Sequence, residues 1–219
     1  VTIMKGCNNF CSYCIVPYVR GREVSRDSHD ILEEIKDLAG RGIKEVILLG
    51  QNVNSYNKGR KDLSFPALLG KINDMDGIER IRFVTSHPKD LSHELIECFG
   101  RLDKLCEQIH LPFQSGSDRI LKLMNRGYNV SEYVDKINRL RRIQSDIAIT
   151  ADCIVGFPGE DEEAFSDTVE LVKKVEFDGI FSFVYSKRKN TQAATLDGEV
   201  PRDVALKRLG YLQAIQKGI

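Results

Sequence analysis

The stretch MKGCNNFCSYCIVPY (Met4–Tyr18) holds three of the chain's six cysteines within eight residues, directly after a short apolar run. Cys7, Cys11 and Cys14 have the spacing C-x3-C-x2-C. A helix would put those positions on one face. Gly6, Asn8, Asn9 and Pro17 argue against a helix core there, so a loop is expected. Three thiols on one loop point to a metal or a redox role. Zinc asks for four Cys or His ligands, so a zinc site would need help from Cys98 or Cys106. Cys11-Ser12-Tyr13-Cys14 could be a dithiol pair, but that leaves Cys7 without a role. An iron–sulfur cluster of the [4Fe–4S] type uses thiolates, and three of them leave one iron open to a small molecule.

Outward from this loop, short β-branched runs alternate with longer segments of helical period. The strand candidates are residues 1–5, 45–50, 80–86, 108–113, 147–156 and 179–186. Between them, Ile31, Leu32, Ile35 and Leu38 form one stripe, and Leu95, Ile96, Phe99 and Leu102 another. Val134, Ile137 and Leu140 make a third, and Phe165, Val169 and Val172 a fourth. Glu160 to Glu163 read as acids opening that last helix, where they suit its dipole. Repeated βα units predict a parallel sheet covered by helices. Six units are too few for a closed eight-stranded barrel. The fold class expected is therefore α/β, a partial (β/α)6 TIM-like barrel, with a flat doubly wound sheet as the alternative. Chemistry in such folds collects at the carboxyl ends of the strands.

A chain of 219 residues with 42% hydrophobic and 29% charged residues has the composition of a globular domain. Its formal net charge is zero, so bulk charge announces no nucleic-acid partner, and only local basic patches could bind one. No apolar run approaches a membrane span and no signal peptide is recognisable. A cytoplasmic protein is expected, with no membrane partner and as a monomer. Six cysteines without a secretory signal argue against a disulfide framework. Cys98, Cys106 and Cys153 read as small buried hydrophobes. The boundary expected is near 196/197: residues 1–196 form the core domain, and 197–219 a terminal helix leading to a further C-terminal domain. The chain opens inside a strand and ends in a helical run, as a piece of a longer protein would.

The loop, its spacing and its place after the first strand resemble the radical S-adenosylmethionine (SAM) superfamily. GCNNFCSYCIVPYVRGREVSR, LLGQNVNSY, RIRFVTSHP, HLPFQSGSDRILKLMNRGY and DCIVGFPGE resemble the successive blocks of its methylthiotransferases. GQNVN favours the MiaB type, which modifies tRNA, over the type that modifies a ribosomal protein. The resemblance covers essentially all 219 residues.

It implies that Cys7, Cys11 and Cys14 ligate a [4Fe–4S] cluster whose open iron binds SAM. Tyr13 would lie near the adenine. Gln51 and Asn52 would meet the methionine end of SAM. Gln114, Ser115 and Ser117 would meet ribose or carboxylate, and Asp152 and Gly156 would belong to the strand end that supports the nucleoside. Arg20, Lys187, Arg188 and Lys189 would face substrate phosphate, although Arg20, Arg22 and Arg26 equally suit a solvated basic loop. The implied reaction is reductive cleavage of SAM to a 5′-deoxyadenosyl radical, then methylthiolation at C2 of an isopentenylated adenosine beside the tRNA anticodon. The implied partners are a tRNA anticodon loop and an electron donor. A second, auxiliary cluster would belong to an N-terminal domain, and a TRAM domain would follow at the C-terminal side. The same class includes enzymes for another tRNA adenosine or for a protein, and a non-catalytic metal-bearing RNA-binding module is the reading from another class.

Overall fold

The extended backbone begins at Val1, whose carbonyl accepts the Leu49 N–H at 2.9 Å. The computed structural model describes all 219 residues. Its strands are β1 (Met4–Lys5), β2 (Val24–Ser25), β3 (Glu45–Leu48), β4 (Arg80–Phe83), β5 (Gln108–His110), β6 (Ala148–Val155) and β7 (Gly179–Val184). Its helices are α1 (Val16–Arg20), α2 (Ser28–Gly40), α3 (Phe65–Asn73), α4 (His93–Arg101), α5 (Asp118–Leu123), α6 (Val130–Ile143), α7 (Glu162–Val175) and α8 (Arg202–Gly218). The chain divides into two units, each discontinuous in sequence.

The first unit comprises Val1–Asn8, Arg20–His110 and Asn138–Ile147. Strands β3 and β4 pair in parallel, from Glu45 opposite Arg80 to Leu48 opposite Phe83. A parallel bridge between Thr2 and Leu49 sets the first extended segment beside β3. Strand β1 also forms a short antiparallel pair with β2, Met4 opposite Ser25. Helices start where side-chain caps allow. The Asp27 carboxylate accepts from His29 N at α2, and the Ser64 and Ser92 hydroxyls accept from Ala67 N and Leu95 N at α3 and α4. Ile31 and Ile35 of α2, Leu68, Leu69 and Ile72 of α3, and Leu95, Ile96 and Phe99 of α4 are buried with Val46, Leu48, Ile81 and Phe83 of the strands. The Phe83 ring lies 5.2 Å from Phe65 and 6.0 Å from Phe99.

The second unit comprises Asn9–Val19, Leu111–Ile137 and Ala148–Ile219. Strands β6 and β7 pair in parallel from Thr150 opposite Gly179 to Val155 opposite Val184. Burial along β6 alternates at every residue: Ile149, Ala151, Cys153 and Val155 are buried, and Thr150, Asp152 and Ile154 are half-buried. Leu111–Gln114 runs alongside, with Leu111 N–H donating to Thr150 O at 2.8 Å and Gln114 N–H to Asp152 O at 2.9 Å. Helix α7 starts at Asp161, whose carboxylate accepts from Ala164 N, and ends at Glu176 with φ 51°. Helix α8 packs against β7 and α7.

Glu160 corrects the reading of residues 160–163 as a helix-dipole run. It precedes the cap, is buried, accepts Gly156 N–H at 2.8 Å and pairs with Arg208 of α8 at 2.8 Å. Burial pushes its carboxyl up, opposed by the Gly156 N–H and the guanidinium. Of the three scattered cysteines, Cys98 and Cys153 are fully buried. Cys106 is half-buried instead, and its backbone N–H donates to Ile81 O at 3.0 Å. The 196/197 boundary falls in the loop ahead of α8, and that helix belongs to the second unit.

Candidate functional site

Residues Gly6–Ile15 form the loop between β1 and α1, and it carries all three motif cysteines. Gly6 is required there: its φ is +75° and a Cβ would meet Arg22 O at 2.1 Å. Cys7 N–H donates to Gly21 O at 3.1 Å, anchoring the first cysteine of the motif. Asn8 and Glu23 hold each other, with Glu23 N–H donating to Asn8 Oδ1 at 3.2 Å.

The stretch from Phe10 to Cys14 is fixed from both flanks. Ser12 N–H donates to Met124 O at 3.0 Å, and Ala193 N–H donates to Ser12 O at 2.7 Å. Asn125 Nδ2 donates to Phe10 O at 2.8 Å. Arg126 Nη1 lies 3.4 Å from both Cys11 Sγ and Tyr13 Oη, and its Nη2 donates to Pro112 O at 2.8 Å. Cys14 N–H closes a turn onto Cys11 O at 2.9 Å. Burial pushes the Cys14 thiol and the Tyr13 phenol up. Burial opposes the charge on Arg126, and the surrounding Tyr128, Tyr13 and Cys11 groups hold it firmly protonated.

A cleft of about 380 Å³ opens beside this turn, lined among others by Tyr13, Gln114, Asp152, Ile154, Phe183 and Arg188. Gln114 has φ 68°, and its backbone is bonded to β6 on both sides through Asp152 O and Ile154 N. Its side chain is buried, and Oε1 has no hydrogen-bond partner. Such an atom costs about 1–3 kcal/mol unless something binds it. Phe157 supports the cleft wall, edge-on to Tyr13 at 6.4 Å and to Tyr185 at 5.3 Å. Aromatic and aliphatic walls with one amide and one carboxylate suit a nucleoside.

The structure therefore brings Tyr13, Gln114, Asp152 and Arg188 to one cleft. Ser115 and Ser117 turn elsewhere. Ser115 Oγ accepts Ser117 N–H at 3.2 Å, and Gly116 N–H donates to Thr168 Oγ1 at 2.9 Å, so this turn is packed on α7. Gly156 lies against α8, where a Cβ would stand 2.7 Å from Ala205 Cβ. Lys187 lines a separate cavity of about 170 Å³ with Tyr185, Glu199 and Arg202, and Lys189 and Arg20 are exposed. Arg26 is engaged with Glu34 at 2.7 Å, which removes it from the free basic loop.

Gln51 and Asn52 follow β3 in the first unit. Asn52 Nδ2 donates to Asp90 Oδ2 at 2.8 Å, and Asp90 Oδ1 pairs with Lys58 at 2.9 Å. Gln51 Oε1, Asn52 Oδ1, both side-chain polar atoms of Asn54, and Ser86 Oγ are buried without partners. Five unsatisfied atoms on the loops after β3 and β4 mark a polar floor built to meet a ligand or ordered water. Ser86 stands in the Ser86-His87-Pro88 segment at the end of the third strand candidate, whereas Asn54 carries no signal of its own beyond the LLGQNVNSY block. Arg126, inside the quoted MNRGY segment, was also missed.

None of the six cysteines is in a disulfide, and no three Cys, His, Asp or Glu side chains converge at the spacing of a single metal ion. Thiols distributed along one loop, with a buried cation on one sulfur, fit a cluster in which each thiolate takes its own iron. Three thiols on one loop are the donor type that a [4Fe–4S] centre uses.

Comparison with known proteins agrees with this chemistry. The model of the Radical SAM superfamily matches residues 1–172, and the chain belongs to that superfamily. Its members use a [4Fe–4S] cluster and SAM. The tRNA-2-methylthio-N(6)-dimethylallyladenosine synthase of Syntrophus aciditrophicus is 60% identical over 218 residues, covering 99% of this chain and 47% of that protein. The synthase of the same name from Syntrophobacter fumaroxidans is 58% identical, covering 100% of this chain and 48% of that one. The chain thus spans about half the length of the curated relatives it matches. These relatives do not favour a ribosomal protein or a non-catalytic module over a tRNA-modifying enzyme.

Among solved structures, the radical SAM methyltransferase TsrM from Kitasatospora setae, with cobalamin and a [4Fe–4S] cluster bound, superposes with TM-score 0.72 at 19% identity, over 89% of this chain and 38% of that one. The radical SAM enzyme coproporphyrinogen III oxidase from Escherichia coli gives 0.70 at 16%, over 99% of this chain and 51% of that one. The shared fold is the α/β partial TIM-like barrel with parallel strands and outer helices. No helix is long and apolar enough to cross a membrane.

Proposed function

We propose that this chain is the radical SAM core of a tRNA methylthiotransferase acting at C2 of an N6-isopentenylated adenosine beside the anticodon. The observation that carries the reading is the 60% identity, along essentially the whole chain, to a synthase named for that product. Cys7, Cys11 and Cys14 would hold the cluster. When bound, the cluster and SAM together supply a 5′-deoxyadenosyl radical by one-electron cleavage of the sulfonium bond.

The chain's own residues bind, orient and shield. Tyr13 and the walls of the adjoining cleft would receive the adenine, and Gln114 Oε1, buried without a partner, and the Asp152 carboxylate would take ribose hydroxyls. Gln51 Oε1 and Asn52 Oδ1, buried without partners, would be the acceptors for the methionine end of SAM. Ser115, Ser117 and Gly156 act one step behind, by shaping the turns that hold Gln114 and the end of β6. Phe157 and Tyr185 exclude water from the cleft wall. Arg20, Lys187, Arg188 and Lys189 meet backbone phosphate of the anticodon loop, from which the adenosine is unstacked.

We place the reaction in the cytoplasm, with an electron donor and a monomeric enzyme. Residues 1–196 would be the core domain, and 197–219, a loop followed by α8, would lead to a further C-terminal domain. An auxiliary cluster for sulfur delivery would lie in a part of the full-length protein outside this chain.

The test is formation of 5′-deoxyadenosine by anaerobically reconstituted, reduced protein given SAM. Cys11→Ala abolishes it on this reading. Substrate identity is tested by mass spectrometry of tRNA from a strain lacking the gene, where the methylthio group at the isopentenylated adenosine is expected to be missing. An unchanged modification profile would overturn the tRNA assignment.

A further inference from the structure

Arg126 is 4% exposed. Its hydrogen bonds go to Cys11 Sγ, the Tyr13 and Tyr128 phenols and Pro112 O, and none goes to a carboxylate. Guanidinium does not deprotonate in proteins, so the site carries a full positive charge away from water. A buried charge without a counter-charge is strongly unfavourable. The two phenols are neutral at ordinary pH and the carbonyl offers only a dipole. The one thiol among its contacts is Cys11 Sγ, at 3.4 Å.

The local chain is shaped to hold the cation there. Met124, Asn125 and Arg126 each grip the cysteine loop: Met124 O takes Ser12 N–H, Asn125 Nδ2 donates to Phe10 O, and Arg126 reaches Cys11 and Tyr13. Asn125 and Gly127 adopt φ 55° and 66°, which turn the backbone so that the residue between them points into the loop. Nη2 is tied down by Pro112 O at 2.8 Å and Nε by Tyr128 at 3.2 Å.

We propose that Arg126 is the fixed counter-charge of the iron–sulfur centre, a positioning residue that raises the centre's reduction potential through its contact with Cys11. The inference rests on the cluster reading of Cys7, Cys11 and Cys14. A cation and an N–H aimed at a ligand sulfur favour the state carrying one more electron, and both are recognised determinants of cluster potential.

The test is a reductive titration followed by electron paramagnetic resonance on the reconstituted chain and on Arg126→Gln and Arg126→Lys. Iron and acid-labile sulfide are counted, and circular dichroism checks the fold. With Arg126→Gln the oxidised-to-reduced ratio at a given potential is expected to rise at least tenfold, which is about 59 mV for one electron. Arg126→Lys, keeping the charge, is expected to stay within threefold of the parent. A loaded Arg126→Gln protein whose ratio stays within threefold would overturn the proposal. So would Arg126→Lys shifted as far as Arg126→Gln, which would assign the effect to packing rather than charge. If the glutamine variant does not fold, Arg126→Met, neutral and of similar length, takes its place with the same expected tenfold rise and the same overturning result. Failure of the parent to take up iron and sulfide would overturn the cluster reading itself, and this inference with it.

Discussion

Asp62 illustrates how much of the first unit depends on single polar residues. Its carboxylate accepts from the Ser28 hydroxyl and backbone N–H, from Asn57 Nδ2 and from Leu63 N–H. The Ser28 hydrogen bond leads in pulling its pKa from 3.8 to about 2. Because the folded value lies below the unfolded one, this stabilisation is full above pH 3.8 and is lost as pH falls through about 2. Asp62→Asn is expected to cost about 1–3 kcal/mol at neutral pH and to flatten the acid limb of the stability curve in that window. Urea titrations at several pH values measure both. At the same scale, the cysteine triplet was legible from spacing alone. Arg126 was not, because its contact with Cys11 spans 115 positions and no local pattern announces it. Glu160 was misread for a related reason: an acid just ahead of a helix looks like a dipole partner until α8 brings Arg208 to it.

At the level of elements, the six strand positions and four helical stripes were readable because period and β-branching agree there. Helices α3 and α5 were not singled out. α3 is short and mostly apolar, burying Phe65, Pro66, Leu68, Leu69 and Ile72, so no polar face sets a period. α5 has six residues, less than two turns. β2 is a two-residue partner to β1, below the length at which alternation can be seen. The QSGS turn was legible as a strand-end loop, but its function divides. Gln114 faces the cleft, and Gly116 allows α7 to approach. A Cβ at Gly116 would lie 2.5 Å from both Asp167 O and Thr168 Cα, which are backbone atoms of α7. Gly116→Ala is therefore expected to destabilise by about 1–3 kcal/mol through displacement of α7. Thermal unfolding measures this, and SAM binding to the folded fraction reports whether Gln114 moves with the turn.

For the whole molecule, a formal net charge of zero makes any salt dependence of RNA binding a local property. Lys187, Arg188 and Lys189 are adjacent and exposed after β7. If all three neutralise phosphates, replacing them with Ala lowers the slope of log K against log salt by about 2, since each single-strand phosphate contributes about 0.7. Filter binding of an anticodon stem-loop at several salt concentrations measures this, and an unchanged slope would remove these residues from the interface. Composition therefore carries no signal of an RNA partner, and the expectation of one rests on motif resemblance.

The double anchoring of Ser12, by Met124 on one flank and Ala193 on the other, has a consequence for how the protein acquires its metal. Where a metal must order its own ligands, as in zinc fingers, the apo chain is unfolded and loading is a folding reaction. Here the polypeptide has already restricted the turn between Cys11 and Cys14, so little conformational entropy remains to be lost when iron and sulfide arrive. The protein is accordingly expected to keep its fold when iron is chelated away, which circular dichroism of the metal-free chain checks. Chain stripped of iron by air is then expected to take up iron and sulfide again under anaerobic conditions without denaturant.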